Sequence, residues 1–353
     1  GESGTGRTTT VRALLERAAA SRPSPGDWIY VNNFVDSNRP RAIALPSGTA
    51  MPFAREMQEL VADLLRELPR VFESEDYERQ REAIVRQAEE RRSQALGRLE
   101  QTVNSQGFAL VQTAQGLGFA PIVNGQVLDA EGYGHLDRRT QIEIEGRQKE
   151  LHGDVANAMR VIRDLERDAK RRLTEFDREV AGQVADRVLE DVRSAYGHLP
   201  EVQDYLAEVQ ADVVDNVAAF TAQQEDGAEQ LRASRKEMLR RYGVNVLVDH
   251  GQQKSAPVIF ETNPTYGNLV GRIEHRAEMG ALVTDFTMIR AGALHRANGG
   301  YLVIEADGLS ANPLAWEGLK RALKNGMIRT EEMGAQEFAS TVTVEPEPSP
   351  LAV

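Results

Sequence analysis

The sequence contains no cysteine, so neither a disulfide framework nor thiol chemistry is open to it, as fits a reducing compartment. It has no apolar run long enough to cross a bilayer, and its first residues lack the basic and apolar regions of a secretory signal, so a cytoplasmic protein without a membrane partner is expected. Its histidines are His135, His152, His198, His250, His275 and His295. None falls at the spacing that sets two ligands on one helical face, so no metal site follows from them. No Ser-His-Asp order is readable either. Basic charge is short as well: 42 Lys and Arg against 54 Asp and Glu leave a net charge of −12, which argues against a nucleic-acid groove.

What is present centres on residues 291–309. Within that stretch Tyr301, Leu302, Val303 and Ile304 form an unbroken apolar run between Gly299-Gly300 and a group of acids, the pattern of a strand buried on both faces of a parallel sheet. Glu305 then sits at the carboxyl edge, where open α/β sheets hold their ligands. The partner of such an acid is a phosphate-binding loop. Residues 1–8 run Gly-Glu-Ser-Gly-Thr-Gly-Arg-Thr, which fits G-x-x-x-x-G-K-[ST] except at Arg7. In that motif backbone N–H groups close around a phosphate, the Lys reaches the terminal phosphates and the hydroxyl holds Mg²⁺. Gly1, Gly4, Thr5, Gly6, Arg7, Thr8 and Glu305 are therefore the nucleotide-site candidates. Val11, Leu14 and Leu15 predict an apolar helical face after the loop.

These residues carry a resemblance. Residues 292–306 (Gly-Ala-Leu-His-Arg-Ala-Asn-Gly-Gly-Tyr-Leu-Val-Ile-Glu-Ala), with Asn263-Pro-Thr-Tyr and Asn268-Leu-Val-Gly-Arg-Ile-Glu before them and Ala315-Trp-Glu-Gly-Leu-Lys-Arg-Ala-Leu after, resemble the AAA+ module of Lon-like proteases. The nearer likeness is to the bacterial branch with a degenerate ATPase and a long helical insertion, whose peptidases work without ATP. Asp27-Trp-Ile-Tyr-Val-Asn-Asn-Phe, Arg39-Pro40 and Leu45-Pro-Ser-Gly are similar to the same branch. The resemblance implies an α/β fold: a P-loop core, a parallel sheet flanked by helices, interrupted by a helical, coiled-coil-like insertion. It implies a homo-oligomer, a hexameric ring, handling unfolded or damaged protein. It places proteolysis in a Ser-Lys dyad of a C-terminal domain absent from this sequence, and an axial pore loop between Ile273 and Ile289, with Met279, Gly280 and Leu282 at its tip.

The chain divides accordingly. At 353 residues two or three domains are favoured. Residues 1–50 are read as the first part of the core, 243–345 as the second, and 346–353, rich in proline, as a linker toward a C-terminal part. Residues 51–242 are the insertion. Met57, Leu60, Val61, Leu64, Leu65 and Leu68 recur at helical spacing, and the charged residues 73–98 predict a helix with a narrow seam. Glycines and alternating apolar residues over 107–133 predict a small β-hairpin tip. The seam Val155, Met159, Ile162, Leu165, Ala169, Leu173, Phe176 and Val180 predicts a returning helix paired with the outgoing one. A helix break is expected at residues 197–200, and strands at 28–31, 42–45, 244–248 and 257–261.

Hydrolysis needs an acid that holds the metal and a second group that polarises the attacking water. AAA+ strands end Asp-Glu; here the order is Glu305-Ala306. Ala306 cannot touch a proton, and Asp307 points elsewhere. Arg7 keeps its charge, but its planar fork is bulkier than the lysine ammonium. Bound ATP or ADP with Mg²⁺ is compatible with these residues; efficient turnover is not. The expectation is a core retained for ring assembly and substrate gating. Two other readings share the layout: a coiled-coil P-loop ATPase that holds DNA, disfavoured by the acidic balance, and a non-catalytic oligomerisation scaffold.

Overall fold

The computed structural model describes residues 7–113, 116–123, 125–128, 130–221, 238–278, 281–331 and 344–352. The chain forms two compact units, Gly1–Pro69 with Ala181–Val353, and Arg70–Val180. Helices and strands are mixed, as an α/β reading requires.

In the first unit the strand Asp27–Val31 is central, between Arg41–Leu45 and Val244–Val248. Ile29, Tyr30 and Val31 are fully buried, because a middle strand with apolar residues at consecutive positions is covered on both faces. Both pairings are antiparallel, with Ile29 opposite Ile43 on one side and opposite Val246 on the other. Among the described residues the parallel pairing expected of the core is confined to one pair, Val258–Glu261 with Tyr301–Ile304. The short link between residues 31 and 41 explains part of this, since adjacent strands joined so closely return antiparallel, whereas a parallel partner needs a longer crossover.

Two packed groups hold these sheets. Tyr30, Leu247, Val248, Ile273, Phe286 and Ile289 form one, pinned by Asn245, whose amide donates to the Phe286 and Ile289 carbonyls at 2.8 and 3.0 Å. The other gathers Leu269, Val270, Leu294 and Ile328 against Ala315, Leu319 and Ala322 of helix Pro313–Asn325. That helix starts on a proline and stops at Gly326, whose φ of +63° is the left-handed stop that glycine adopts without strain.

Helix Ala50–Phe72 buries Phe53, Met57, Leu60, Leu64 and Leu68, the stripe its spacing predicts. Its start is fixed by Asp27, a fully buried carboxylate. One oxygen accepts the N–H groups of Thr49 and Ala50, each at 2.9 Å, and the other accepts the N–H of His250 at 2.8 Å. One side chain therefore joins a strand, a helix N-terminus and the segment after Val244–Val248, where negative charge also meets the helix dipole favourably.

The second unit contains helix Glu75–Ser105, capped by Ser74, whose hydroxyl accepts the Tyr77 N–H. The run from 51 to 103 is therefore two helices, and the Ser74 cap with Glu75, Asp76 and Glu78 behind it is the signal for the break. The returning helix, Arg138–Ala195, lies antiparallel to it within this unit. Tyr77 stacks on Phe176 at 5.4 Å and donates to Asp177 at 2.7 Å, Arg172 donates to Gln87 at 3.2 Å, and Arg92 meets Glu166 at 3.5 Å. The seam is narrow: Val155 and Ile162 are buried, and Met159, Leu165 and Phe176 half-buried. At its far end Leu99, Val103, Phe108, Ile144, Leu151 and Val155 close a small core. Above that core a meander of Phe108–Thr113, Gly116–Val123 and Gln126–Val127 is antiparallel throughout.

Replacing the carboxylate that fixes the first unit tests this account. Asp27→Ala leaves three N–H groups, two of them buried, without their acceptor, and a loss of about 3–5 kcal/mol is expected in urea unfolding. Asp27→Asn, which keeps one carbonyl acceptor, should lose less. Stability unchanged in both variants would show that water replaces the carboxylate without cost.

Candidate functional site

Because Val258–Glu261 and Tyr301–Ile304 run parallel, with Ile304 opposite Glu261, their carboxyl ends share one edge. Glu261 and Glu305 stand there. Glu305 is exposed, precedes the short helix Ala306–Ser310, and its carboxylate has no partner among the described residues. Glu261 is largely buried, its side chain only 12% exposed. It accepts the Asn263 N–H at 2.9 Å and faces the Arg296 guanidinium at 3.5 Å.

Helix Arg7–Ala19 belongs to the same unit and packs beside Val258–Glu261, with the Arg12 guanidinium 4.0 Å from the Phe260 ring centre. Thr8 is exposed in the first turn of that helix. Gly1, Gly4, Thr5 and Gly6 lie outside the described residues, and Arg7 is placed by its backbone alone. The apolar face expected after the loop is only partly covered: Val11 is 40% and Leu14 57% exposed and Leu15 is half-buried, while the buried position of the helix is Ala19. Likewise Tyr301–Ile304 is half-buried rather than sealed on both faces, since it has a strand neighbour on one side only among the described residues.

The Asn-Gly-Gly step before that strand has a local cause. Gly299 adopts a φ of +79°, and a Cβ on Gly300 would overlap the Pro257 carbonyl oxygen, so the two strands approach at a distance only glycine allows. The backbone confirms that approach, since the Tyr301 N–H donates to Pro257 O at 2.8 Å.

His295 lies one turn upstream and is 1% exposed. Its Nδ1 accepts the Gly292 N–H at 3.3 Å, which assigns the proton to Nε2. Burial, aided by the neighbouring Arg296, pushes its pKa down to about 3. The ring is therefore neutral and packed, a structural residue of this stretch.

Of the pore-loop candidates, Met279 and Gly280 lie outside the described residues. Leu282 sits on Ala281–Val283, antiparallel to Arg276–Glu278, and is 45% exposed. A separate cleft of about 550 Å³ is lined by Asn32, Asn33, Phe34, Arg240, Arg241 and Asp285. Its arginines are engaged, Arg240 with Asp285 at 3.2 Å and Arg241 with Asp212 at 3.0 Å, and it shares no residue with the Glu261–Glu305 edge. We place the candidate site at that edge, where chemistry-bearing groups converge, rather than in the larger cleft.

Chemically the edge offers an exposed carboxylate that can ligate a hard cation and an arginine suited to a phosphate. It offers no second acid directly after Glu305, because Ala306 occupies that position. Glu261 and Arg296 were not singled out from the sequence. The signal was there: an acid ending the apolar run Val258-Ile259-Phe260, two residues before Asn263-Pro264, marks the same carboxyl edge that identified Glu305.

Comparison with known families gives two matches. Residues 254–353 match the LonB-like AAA domain, and residues 27–60 match the Lon-like LonC helical domain. No curated protein matches the chain.

The buried histidine makes stability depend on pH. Below pH 6.5 the unfolded chain binds a proton at His295 that the folded chain refuses until about pH 3. Its contribution is thus complete above pH 6.5 and is lost as pH falls through that window, by at most about 1.4 kcal/mol per pH unit. Urea unfolding across this range should show a shallower pH dependence for His295→Gln than for the parent chain. Equal slopes would mean that the folded protein protonates His295 normally.

Proposed function

We infer, from a chain that carries a Lon-like AAA+ module over its matched segments, that it is the degenerate AAA+ part of a Lon-like serine endopeptidase. In this reading it assembles a ring in the cytoplasm and gates unfolded protein toward a C-terminal Ser-Lys protease domain that the chain does not contain. Residues 1–50 and 243–345 form the core and 51–242 the insertion; residues 346–353 lead toward the protease part. The LonB-like AAA match, residues 254–353, falls within the second part of the core and the segment after it, and supports that part of the division.

One observation carries the reading: the exposed Glu305 is followed by Ala306 at the carboxyl edge of the parallel pair, inside the LonB-like AAA match. A bound Mg²⁺ would neutralise phosphate oxygens; Glu305 and the Thr8 hydroxyl are the residues that would hold it, and the candidate loop Gly1, Gly4, Thr5, Gly6 and Arg7 would take the phosphates. What the residues withhold is a base. The Ala306 methyl group neither orients nor deprotonates water, and losing such a group costs orders of magnitude in phosphoryl transfer. Nucleotide then acts as a structural ligand or not at all. Substrate contact would fall to the loop at Met279, Gly280 and Leu282, where the apolar side chains of Met279 and Leu282 would grip an unfolded chain without sequence preference. The half-exposed Leu282 supports that role.

Isothermal titration with ATP and Mg²⁺, with turnover followed in parallel, tests the nucleotide half. Turnover at least about 10³-fold below a competent site is expected, and brisk hydrolysis would overturn the reading. A photo-crosslinking residue at Leu282 tests the substrate half and is expected to capture an unfolded protein. Capture only at sites outside the core and the insertion would count against gating.

A further inference from the structure

The second unit carries a feature that the nucleotide site does not explain. No charged side chain occurs between Glu100 and Asp129, in a chain of which 27% is charged. The antiparallel meander lies in this gap, and its outermost strand, Phe108–Thr113, pairs on one side only, with Gly116–Val123. No other strand among the described residues borders its far side.

The register decides which backbone groups face that open side. The Ile122 N–H donates to Gly107 O at 2.8 Å, so position 107 is a hydrogen-bonded pair. With Ala109 opposite Ala120 and Val111 opposite Gly118, alternation makes 109, 111 and 113 the inward-bonding positions. The N–H and C=O groups of Phe108, Leu110 and Gln112 therefore point away from the meander.

Soluble proteins blunt such edges with charge, proline or a bulge. Phe108-Ala-Leu-Val-Gln-Thr113 has no charged residue and no proline, and its register is unbroken. The strand is held from behind, as Phe108 is buried in the core that includes Leu99, Val103, Leu151 and Val155. A rigid, unguarded edge is a template for one kind of ligand.

We propose that the open edge of Phe108–Thr113 binds an extended, uncharged segment of unfolded polypeptide by adding it as a further strand. A row of alternating donors and acceptors is complementary to another backbone in extended form, and it reads little of the side chains. The strand's own lack of charge favours apolar segments over acidic or basic ones; a charged group that does lie close is the Arg147 guanidinium, 3.9 Å from where a side chain on Gly107 would begin. This deepens the substrate-gating reading and rests on it, assigning the insertion a direct part in capture.

The test uses the whole chain and a fluorescent, end-capped peptide of alternating Thr and Val, followed by anisotropy. Binding is expected. It should weaken at least about tenfold when alternate residues of the peptide are N-methylated, which removes donors while keeping side chains; a tenfold loss is about 1.4 kcal/mol, one or two hydrogen bonds. Gln112→Pro should weaken it similarly, because proline at an outward-facing position removes one outward donor and leaves the meander's own bonds in place. Gln112→Ala should bind as the parent does, and far-ultraviolet circular dichroism checks that each variant folds.

Binding indifferent to both N-methylation and Gln112→Pro would overturn the edge and leave the gating reading standing. Absence of binding overturns the edge also, and crosslinking at Leu282 then decides separately whether unfolded chains are engaged at all. Concentration-dependent dimers that Gln112→Pro abolishes and the peptide fails to displace would assign the edge to a second copy, against the proposal.

Discussion

The Asp27 carboxylate is the interaction on which the first unit depends. Fully buried, it accepts three backbone N–H groups from two remote segments. Without it the N-terminus of helix Ala50–Phe72 would present orphan donors inside the protein. The consequence reaches further than one cap. The strand Asp27–Val31 is the middle of its sheet, so whatever fixes its first residue fixes both neighbours. His250 answers from the other side, with its Nδ1 at 3.1 Å from Gly26 O. The opening of the helix and the end of Val244–Val248 are thus tied to one strand end.

That frame leaves the parallel pair Val258–Glu261 and Tyr301–Ile304 to do something different. Parallel strands align their carboxyl ends, which brings Glu261 and Glu305 to one edge. The two acids are unlike. Glu261 is satisfied by Asn263 and Arg296 and largely buried, while Glu305 is exposed without a partner among the described residues. Environment thus separates a carboxylate that organises the loop from one open to a ligand.

Much of the fold was legible. Strands at 28–31, 42–45, 244–248 and 257–261 were readable because short apolar runs stand between turn residues, and the stripe from Met57 to Leu68 because its period is helical. Strand direction was not: residues 28–31 look the same whether their neighbours run parallel or antiparallel, and the family expectation favoured parallel. Burial was misread at Val11, Leu14 and the strand Tyr301–Ile304 for a related reason. Apolar character states what a residue tolerates, while exposure depends on which neighbours arrive. Glu305 was found from its place after an apolar strand. Glu261 obeyed the same rule but lacked a familiar motif to draw attention, and Asp27 resembled an ordinary strand-flanking acid because its three acceptor bonds come from distant parts of the chain.

The stretch 291–309 also separates residues held by packing from one that is not. Most of its recognisable residues answer to packing. Gly300 admits the Pro257 carbonyl, Gly299 takes a positive φ, and a Cβ on Gly292 would overlap the Leu269 carbonyl. His295 is buried and bonded to the Gly292 backbone, and Ala293 and Leu294 are core. Each of these is held by sterics whatever the edge does. Ala306 differs: it is exposed. On the function proposed above, the position whose chemistry would decide hydrolysis is among the less covered by the fold, so a polarising group could be lost there while the surrounding sequence stays recognisable.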